Sequence, residues 1–240
     1  MQLRHCASSI LLCSIGLPLV TQANPSMSVS PRPVVIELFT SQGCNSCPPA
    51  EALLGEYAND PNVLALSFHV DYWDYLGWHD PFELPISVQR QNGYAESLKL
   101  PSLFTPQSII DGRISRLGSD RHSLISAIHS KRDGVPLLLS RSNDLMTITL
   151  PDTGQTGHFD VNVIAYESQA TTPVKRGENA GHTLKEFNIV RSFLQLGPWD
   201  GHPARMKVSL SGLPTGTDRI AVLIQQPHQG AIVGAASIPL

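Results

Sequence analysis

The chain has 240 residues, 41% of them hydrophobic and 15% charged, enough apolar side chains for one large core or two modest ones. Disorder is therefore not the default expectation. The formal charge of -3 and a pI near 6.3 leave no basic surplus of the kind nonspecific nucleic-acid binding depends on, so no nucleic acid is expected among the partners.

Arg4 and His5 precede an apolar run over residues 7–20 that ends in Thr21-Gln22-Ala23. This is the pattern of a secretory signal peptide, expected over residues 1–23. The run is shorter than the roughly 20 residues a membrane-crossing helix needs, so no stable membrane span is expected after cleavage. The protein is expected to be exported, to the periplasm or beyond the cell. Cleavage near Ala23 would also remove Cys6 and Cys13, leaving Cys44 and Cys47 as the mature chain's thiols.

A Pro/Ser-rich linker (24–32) leads to an expected first domain over residues 33–133. Residues 34–39 (VVIELF) have the β-branched, apolar character of a buried strand. The pair Cys44-x-x-Cys47 follows at once, then a short helix (50–58), a second strand (62–70), a Pro/aromatic loop and a second helix (86–98). A third strand (107–111) begins directly after Thr105-Pro106, with residues 113–117 pairing back as a hairpin and a helix over 120–131. Strands alternating with helices argue for a parallel βαβ unit. From residue 140 to 240 the texture changes to short alternating segments at 145–150, 158–166, 187–196, 206–210 and 219–225, the pattern of a small antiparallel sandwich.

A strand, a tight turn carrying C-x-x-C and a helix form an arrangement in which helix-terminal N–H groups stabilise a thiolate on the first cysteine. Cys44 would attack and Cys47 would resolve the mixed disulfide. Pro48 and Pro49 lack N–H groups and disfavour helical geometry in the residue before them, so the first regular turn is expected near one of these prolines. Between Pro33 and Gln89 there is no Lys or Arg, against eight acids. Stabilisation of the Cys44 thiolate is thus left to the helix terminus, to His69 or His79, or to a base elsewhere.

The loop HVDYWDYLGWHDPF (69–82) carries two His and three Asp, but in no common zinc spacing, and no metal is expected. Trp73 or Trp78 offers an apolar wall for a substrate, or simply core packing. The charges of Arg176-Gly177-Glu178-Asn179 are expected to decorate a β-hairpin.

Together TSQGCNSCPPAE (40–51), HVDYWDYLGWHDPF, TPQSIIDGR (105–113) and RGENAGHTL (176–184) resemble an uncharacterised family of secreted bacterial proteins, a domain of unknown function assigned to the thioredoxin-like fold. The resemblance implies an α/β fold, with a thioredoxin-like domain followed by the smaller β-rich one. It implies that Pro106 is cis and faces the CxxC across a substrate groove, and that Thr105 offers its backbone to an extended substrate. It also implies a buried acid below the pair, for which Glu37 is the nearest candidate, one residue farther from Cys44 than the pattern places it. The function expected is thiol–disulfide exchange with a protein or small thiol/disulfide substrate and no cofactor. The alternatives are a noncatalytic envelope-binding protein with a structural disulfide and a copper-handling thioredoxin-like protein.

Overall fold

The computed structural model describes residues 32–130, 132, 134–154 and 157–240. The expected signal peptide (1–23), and all of the expected linker except Arg32, lie outside the described residues.

Strands β1 (Val34–Thr40) and β2 (Val63–His69) pair in parallel, joined by helix α1 (Pro48–Tyr57). Every residue of both strands is buried, which is why each reads as a continuous apolar run rather than an alternating one. Helix α2 (Pro85–Ser97) leads to β3 (Gln107–Ile110), antiparallel to β1, then to the edge strand β4 (Ile114–Leu117) and helix α3 (Arg121–Ile128). Asp120 caps α3 by accepting from the Ser123 N–H. Helix α1 opens at Pro48, at the paired prolines where its first regular turn is expected.

Among the described residues seven further strands follow: β5 (Leu138–Ser142), β6 (Leu145–Leu150), β7 (Phe159–Pro173), β8 (Thr183–Trp199), β9 (Ala204–Ser209), β10 (Arg219–Gln225) and β11 (Ile232–Pro239). They divide between two sheets. Strands β5, β6 and β9 make a three-stranded antiparallel sheet, while β7, β8, β10 and β11 extend the first half's sheet to eight strands in the order β11-β10-β7-β8-β2-β1-β3-β4. The junction is a parallel contact between β8 and β2, Ile189 opposite Ser67. The fold class is α/β, and the antiparallel half has the expected two layers. One of those layers is continuous with the sheet of the first half.

Strand alternation feeds three cores. Val34, Ile36 and Leu38 face α1 and α3 with Leu53, Leu54 and Leu124. Val35 and Phe39 face the other way, with Phe68, Tyr94, Ile164 and Leu223. Val161, Val163, Ile220 and Val222 pack against Met146, Ile148 and Val208 of the small sheet. Among the described residues no helix is long and apolar enough to cross a membrane.

Candidate functional site

Beyond β1 the backbone turns sharply, with the Cys44 N–H bonded to the Ser41 carbonyl at 3.1 Å and the Cys47 N–H to the Cys44 carbonyl at 3.2 Å. Gly43 is required here by close approach: a Cβ on it would lie 2.8 Å from the Cβ of Trp73. Cys44 and Cys47 are joined in a disulfide. Cys47 is the N-cap of α1, and its carbonyl receives the N–H groups of Ala50 and Glu51. Pro48 and Pro49 occupy the first helical positions, so two donors that a helix N-terminus normally presents are missing beside the disulfide.

The disulfide is covered, each cysteine being only 1% exposed. The tip of the β7–β8 hairpin, residues 174–182, is bound to the turn that carries it. Asn179 donates through Nδ2 to the carbonyl oxygens of Gln42 (2.9 Å) and Cys44 (3.0 Å), and Glu178 accepts from the Asn45 N–H at 3.3 Å. The charges expected to decorate a hairpin thus lie on one, but Glu178 and Asn179 are bound to the CxxC turn. Trp78 packs beside Gly177 and donates from Nε1 to Gln42 Oε1 at 2.9 Å.

On another side of the turn stand Thr105 and Pro106, joined by a cis peptide bond. Pro106 and the first turn of α1 both border Gly118: a Cβ placed there would lie 3.0 Å from the Cβ atoms of both Pro106 and Ala50. Trp73 donates from Nε1 to Thr105 Oγ1 at 2.8 Å and stacks on Tyr75, which is 78% exposed. The structure therefore brings Cys44, Cys47, Trp73, Thr105 and Pro106 to one end of the sheet.

Glu37 lies elsewhere. Its extra residue of separation turns it to the α2 face of β1, where Arg90 binds both carboxylate oxygens at 2.6 and 3.1 Å and the Tyr94 hydroxyl donates to it. Arg90 also reaches Gln225 at 2.9 Å and lies against the rings of Phe68, Tyr94 and Phe193. Burial opposes its charge, and Glu37 overcomes that and raises the guanidinium pKa further. This is a satisfied ion-pair network inside the core.

The acids beside Cys47 are different ones. A cavity of about 220 Å³ is lined by Thr40, Cys47, Glu51, Lys185 and Glu186, among others. Glu51 is one helical turn after Cys47 on α1, and Glu186 comes from β8. Behind them His69, at the end of β2, is fixed by Asp80, whose Oδ2 is 2.8 Å from Nδ1 and also accepts from the Gln42 N–H at 2.8 Å. His69 Nε2 lies 3.8 Å from Glu186 and 4.0 Å from Glu51 and has no hydrogen-bond partner. Glu51 accepts from Ser67 at 2.8 Å through one oxygen while the other is unpartnered, and Glu186 accepts from Gln42 Nε2 at 2.8 Å.

Three carboxylates and one imidazole are thus buried together. Burial alone would lower the His69 pKa, but Asp80, Glu186 and Glu51 overcome it and push it up to about 9. Burial would raise Asp80, yet His69 and the N–H groups of Gln42 and Phe82 hold it below the ordinary range. Glu51 is raised by burial against the pull of His69. Glu186 is pushed up to about 7, by burial first and by Glu51 and Asp80 after it. In the sequence, Glu51 belongs only to a run of acids, while Asp80 and His69 lie in the aromatic loop and His69 is offered there only as a stabiliser of the Cys44 thiolate. The C-x-x-C-x-x-x-E spacing, which puts Glu51 on the face of α1 that carries Cys47, was the available signal.

Asp74, His79 and Glu83 form a second cluster in the aromatic loop, with ligand atoms within 4.8 Å of one another. His79 is exposed and pairs with Asp74 at 2.6 Å and Glu83 at 3.5 Å, so an ion-pair network accounts for this group.

No curated protein matches the chain. Among solved structures it is similar to protein AGR_C_4864 from Agrobacterium tumefaciens, with 31% identity, 87% of this chain and 95% of that chain covered, and a TM-score of 0.75. It is also similar in fold to HBP35 of Porphyromonas gingivalis, with 16% identity, 88% of this chain and 76% of that chain covered, and a TM-score of 0.54. The family described as "Protein of unknown function (DUF1223)" matches residues 35–225, and the chain belongs to that family.

Proposed function

We propose that this protein is an exported thiol–disulfide oxidoreductase with a thioredoxin-like first half, in which Cys44 exchanges with the substrate and Cys47 resolves the mixed disulfide. The observation that carries the reading is the bonded Cys44–Cys47 pair at the junction of β1 and α1, with Pro106 and the first turn of that helix both bordering Gly118. The strand order β2-β1-β3-β4, parallel between β1 and β2 and antiparallel beyond, is the arrangement the thioredoxin-like resemblance implies and supports it. Thr105 and Pro106 would present an extended substrate chain, with Trp73 as an apolar wall. The charged start, apolar run and Thr-Gln-Ala ending of residues 1–23 support export.

The burial of both cysteines under the β7–β8 hairpin favours a second reading, a binding protein whose disulfide only braces the fold. One experiment separates the two. Under native conditions, dithiothreitol should open the disulfide of the folded protein, and Cys47→Ser should accumulate mixed disulfides through Cys44. A disulfide that resists reduction, together with a Cys47→Ser variant that traps nothing, would establish the bracing role. Equilibration with glutathione then gives the direction of electron flow: a potential near about -120 mV marks an oxidant and one near about -270 mV a reductant.

A further inference from the structure

We propose that Glu51 and Glu186 together are the proton-transfer pair for Cys47, held in place by the His69–Asp80 pair. The inference rests on the exchange reading above and adds to it the group that moves the proton.

Three observations carry it. Cys47, Glu51 and Glu186 line one cavity, and at about 220 Å³ it is roomy enough for a water to bridge thiol and carboxylate. The polar atoms around it are incompletely used: Glu51 Oε2 and His69 Nε2 are buried without a partner, in side chains 6% and 0% exposed. The other acid offered by the sequence, Glu37, is held by Arg90 and Tyr94 in a different part of the core and does not line this cavity.

Charge bookkeeping gives the cluster its working state. Asp80 from the aromatic loop is ionised and His69 from β2 is protonated, so they neutralise each other. Glu51 from α1 and Glu186 from β8 remain, both raised by burial, and with Glu186 at about 7 the two acids can take up or give up a proton near neutrality. Among the described residues Lys185 is the one further charged residue lining the cavity, and its Nζ lies over the Phe187 ring. Thr40 of β1 and Ser67 of β2 bring only hydroxyls.

The step balances as follows. The Cys44 thiolate attacks a substrate disulfide, forming the Cys44–substrate bond and releasing one substrate thiolate. The Cys47 thiol gives its proton to the carboxylate pair, and the resulting thiolate attacks Cys44 Sγ. The Cys44–Cys47 bond forms, the bond to substrate breaks, and the second substrate thiolate leaves and takes up the proton. Two electrons pass from the cysteine pair to the substrate disulfide. In the opposite direction the protonated pair returns its proton to the Cys47 thiolate.

The reaction of the reduced full chain, unaltered apart from Cys6→Ser and Cys13→Ser, which leave Cys44 and Cys47 as its thiols, with 5,5′-dithiobis(2-nitrobenzoate), followed by stopped-flow absorbance, separates the two steps. The first thionitrobenzoate released reports attack by Cys44, and the second reports resolution by Cys47. In the unaltered protein the second phase should rise with an inflection between about pH 6 and 8. Glu186→Gln and, independently, Glu51→Gln should remove that inflection and slow the second phase at least about tenfold, leaving the first phase unchanged. Glu186→Asp should restore part of the rate. A second phase without the inflection in the unaltered protein, or an unchanged pH profile in either folded Gln variant, overturns the proposal while leaving exchange intact. Failure of the unaltered protein to release any thionitrobenzoate overturns the exchange reading and this inference with it.

Discussion

Asn179 donates its side-chain amide to the carbonyl oxygen of Cys44 at 3.0 Å, across 135 positions of sequence. A hairpin from the second half of the chain is thereby fastened onto the turn that carries the disulfide. With Cys44 only 1% exposed, opening of this contact is expected to widen access to its Sγ, and such local openings cost less than global unfolding. Asn179→Ala removes two hydrogen bonds that together stabilise the closed form by about 1–2 kcal/mol. The expected outcome is a rate of disulfide reduction by dithiothreitol about 5–30 times higher, with a small loss of thermal stability. An unchanged reduction rate would mean that the hairpin does not limit access.

Stability should fall as pH rises across the neutral range. His69 holds its proton more tightly in the fold than its ordinary 6.5, with a pKa of about 9. The stability it contributes is therefore complete below about pH 6.5 and lost as pH rises through 9. Glu186 is raised from 4.5 to about 7 and acts in the same sense, its contribution complete below about pH 4.5 and lost as pH rises through 7. Asp80 is lowered from 3.8 and acts oppositely, its contribution disappearing as pH falls below that value. Thermal unfolding scanned between about pH 4 and 9.5 should show its highest Tm in mildly acidic solution. His69→Gln should lower the Tm and flatten the limb above about pH 7. A Tm that rises steadily from about pH 6 to 9 would contradict this account.

Arg90 and Glu37 form another buried ion pair. Arg90→Met leaves the Glu37 carboxylate buried with its guanidinium gone, a loss on the order of 3–5 kcal/mol. Replacing both, Glu37→Leu with Arg90→Met, removes the charge together with its partner and should recover much of that loss. Urea midpoints at unchanged m-value measure it. The folded double variant should keep full exchange activity, because Glu37 lies away from the Cys47 cavity. Loss of exchange in that variant would return Glu37 to the reacting site.

Much of the first half was legible because its signals are local. The paired prolines after Cys47 set where α1 begins. The odd spacing of Glu37 from Cys44 set the face it occupies. Strands β5 and β11 were not legible, for different reasons. β5 (LLSRS) is mostly exposed, and β11 (IVGAASIP) is built largely from small residues and a glycine, without strand-like alternation. The acid cluster was hidden for a topological reason. Gln42 and Glu186 meet across 144 positions, and only the β8–β2 contact, one register pair in extent, brings that strand beside α1. No periodicity encodes such a pairing.

The same contact bears on whether residues 33–133 form a unit that folds alone. Within that stretch, surfaces are completed by residues far outside it. The Phe187 ring of β8 packs against Gly55 of α1 so closely that a Cβ there would lie 2.4 Å from it. Asn188 donates to the Ala65 carbonyl of β2 at 2.9 Å. Gln225 of β10 accepts from Arg90 and donates to the Tyr94 hydroxyl, both at 2.9 Å, and the Ile232 N–H reaches the Asp111 carbonyl at 2.9 Å. Gly112, at φ +65, packs so tightly that a Cβ would meet the Gly230 carbonyl at 2.4 Å. Cutting the chain after residue 133 would uncover the β2 edge, expose the α1 groove and remove one of the partners that hold Arg90. The whole chain is therefore expected to unfold in one cooperative transition, with near-ultraviolet and far-ultraviolet circular dichroism giving the same urea midpoint. The isolated fragment 33–133 should show no cooperative transition. Two separated transitions in the whole chain, or a folded fragment, would show that the halves are energetically independent despite their shared sheet.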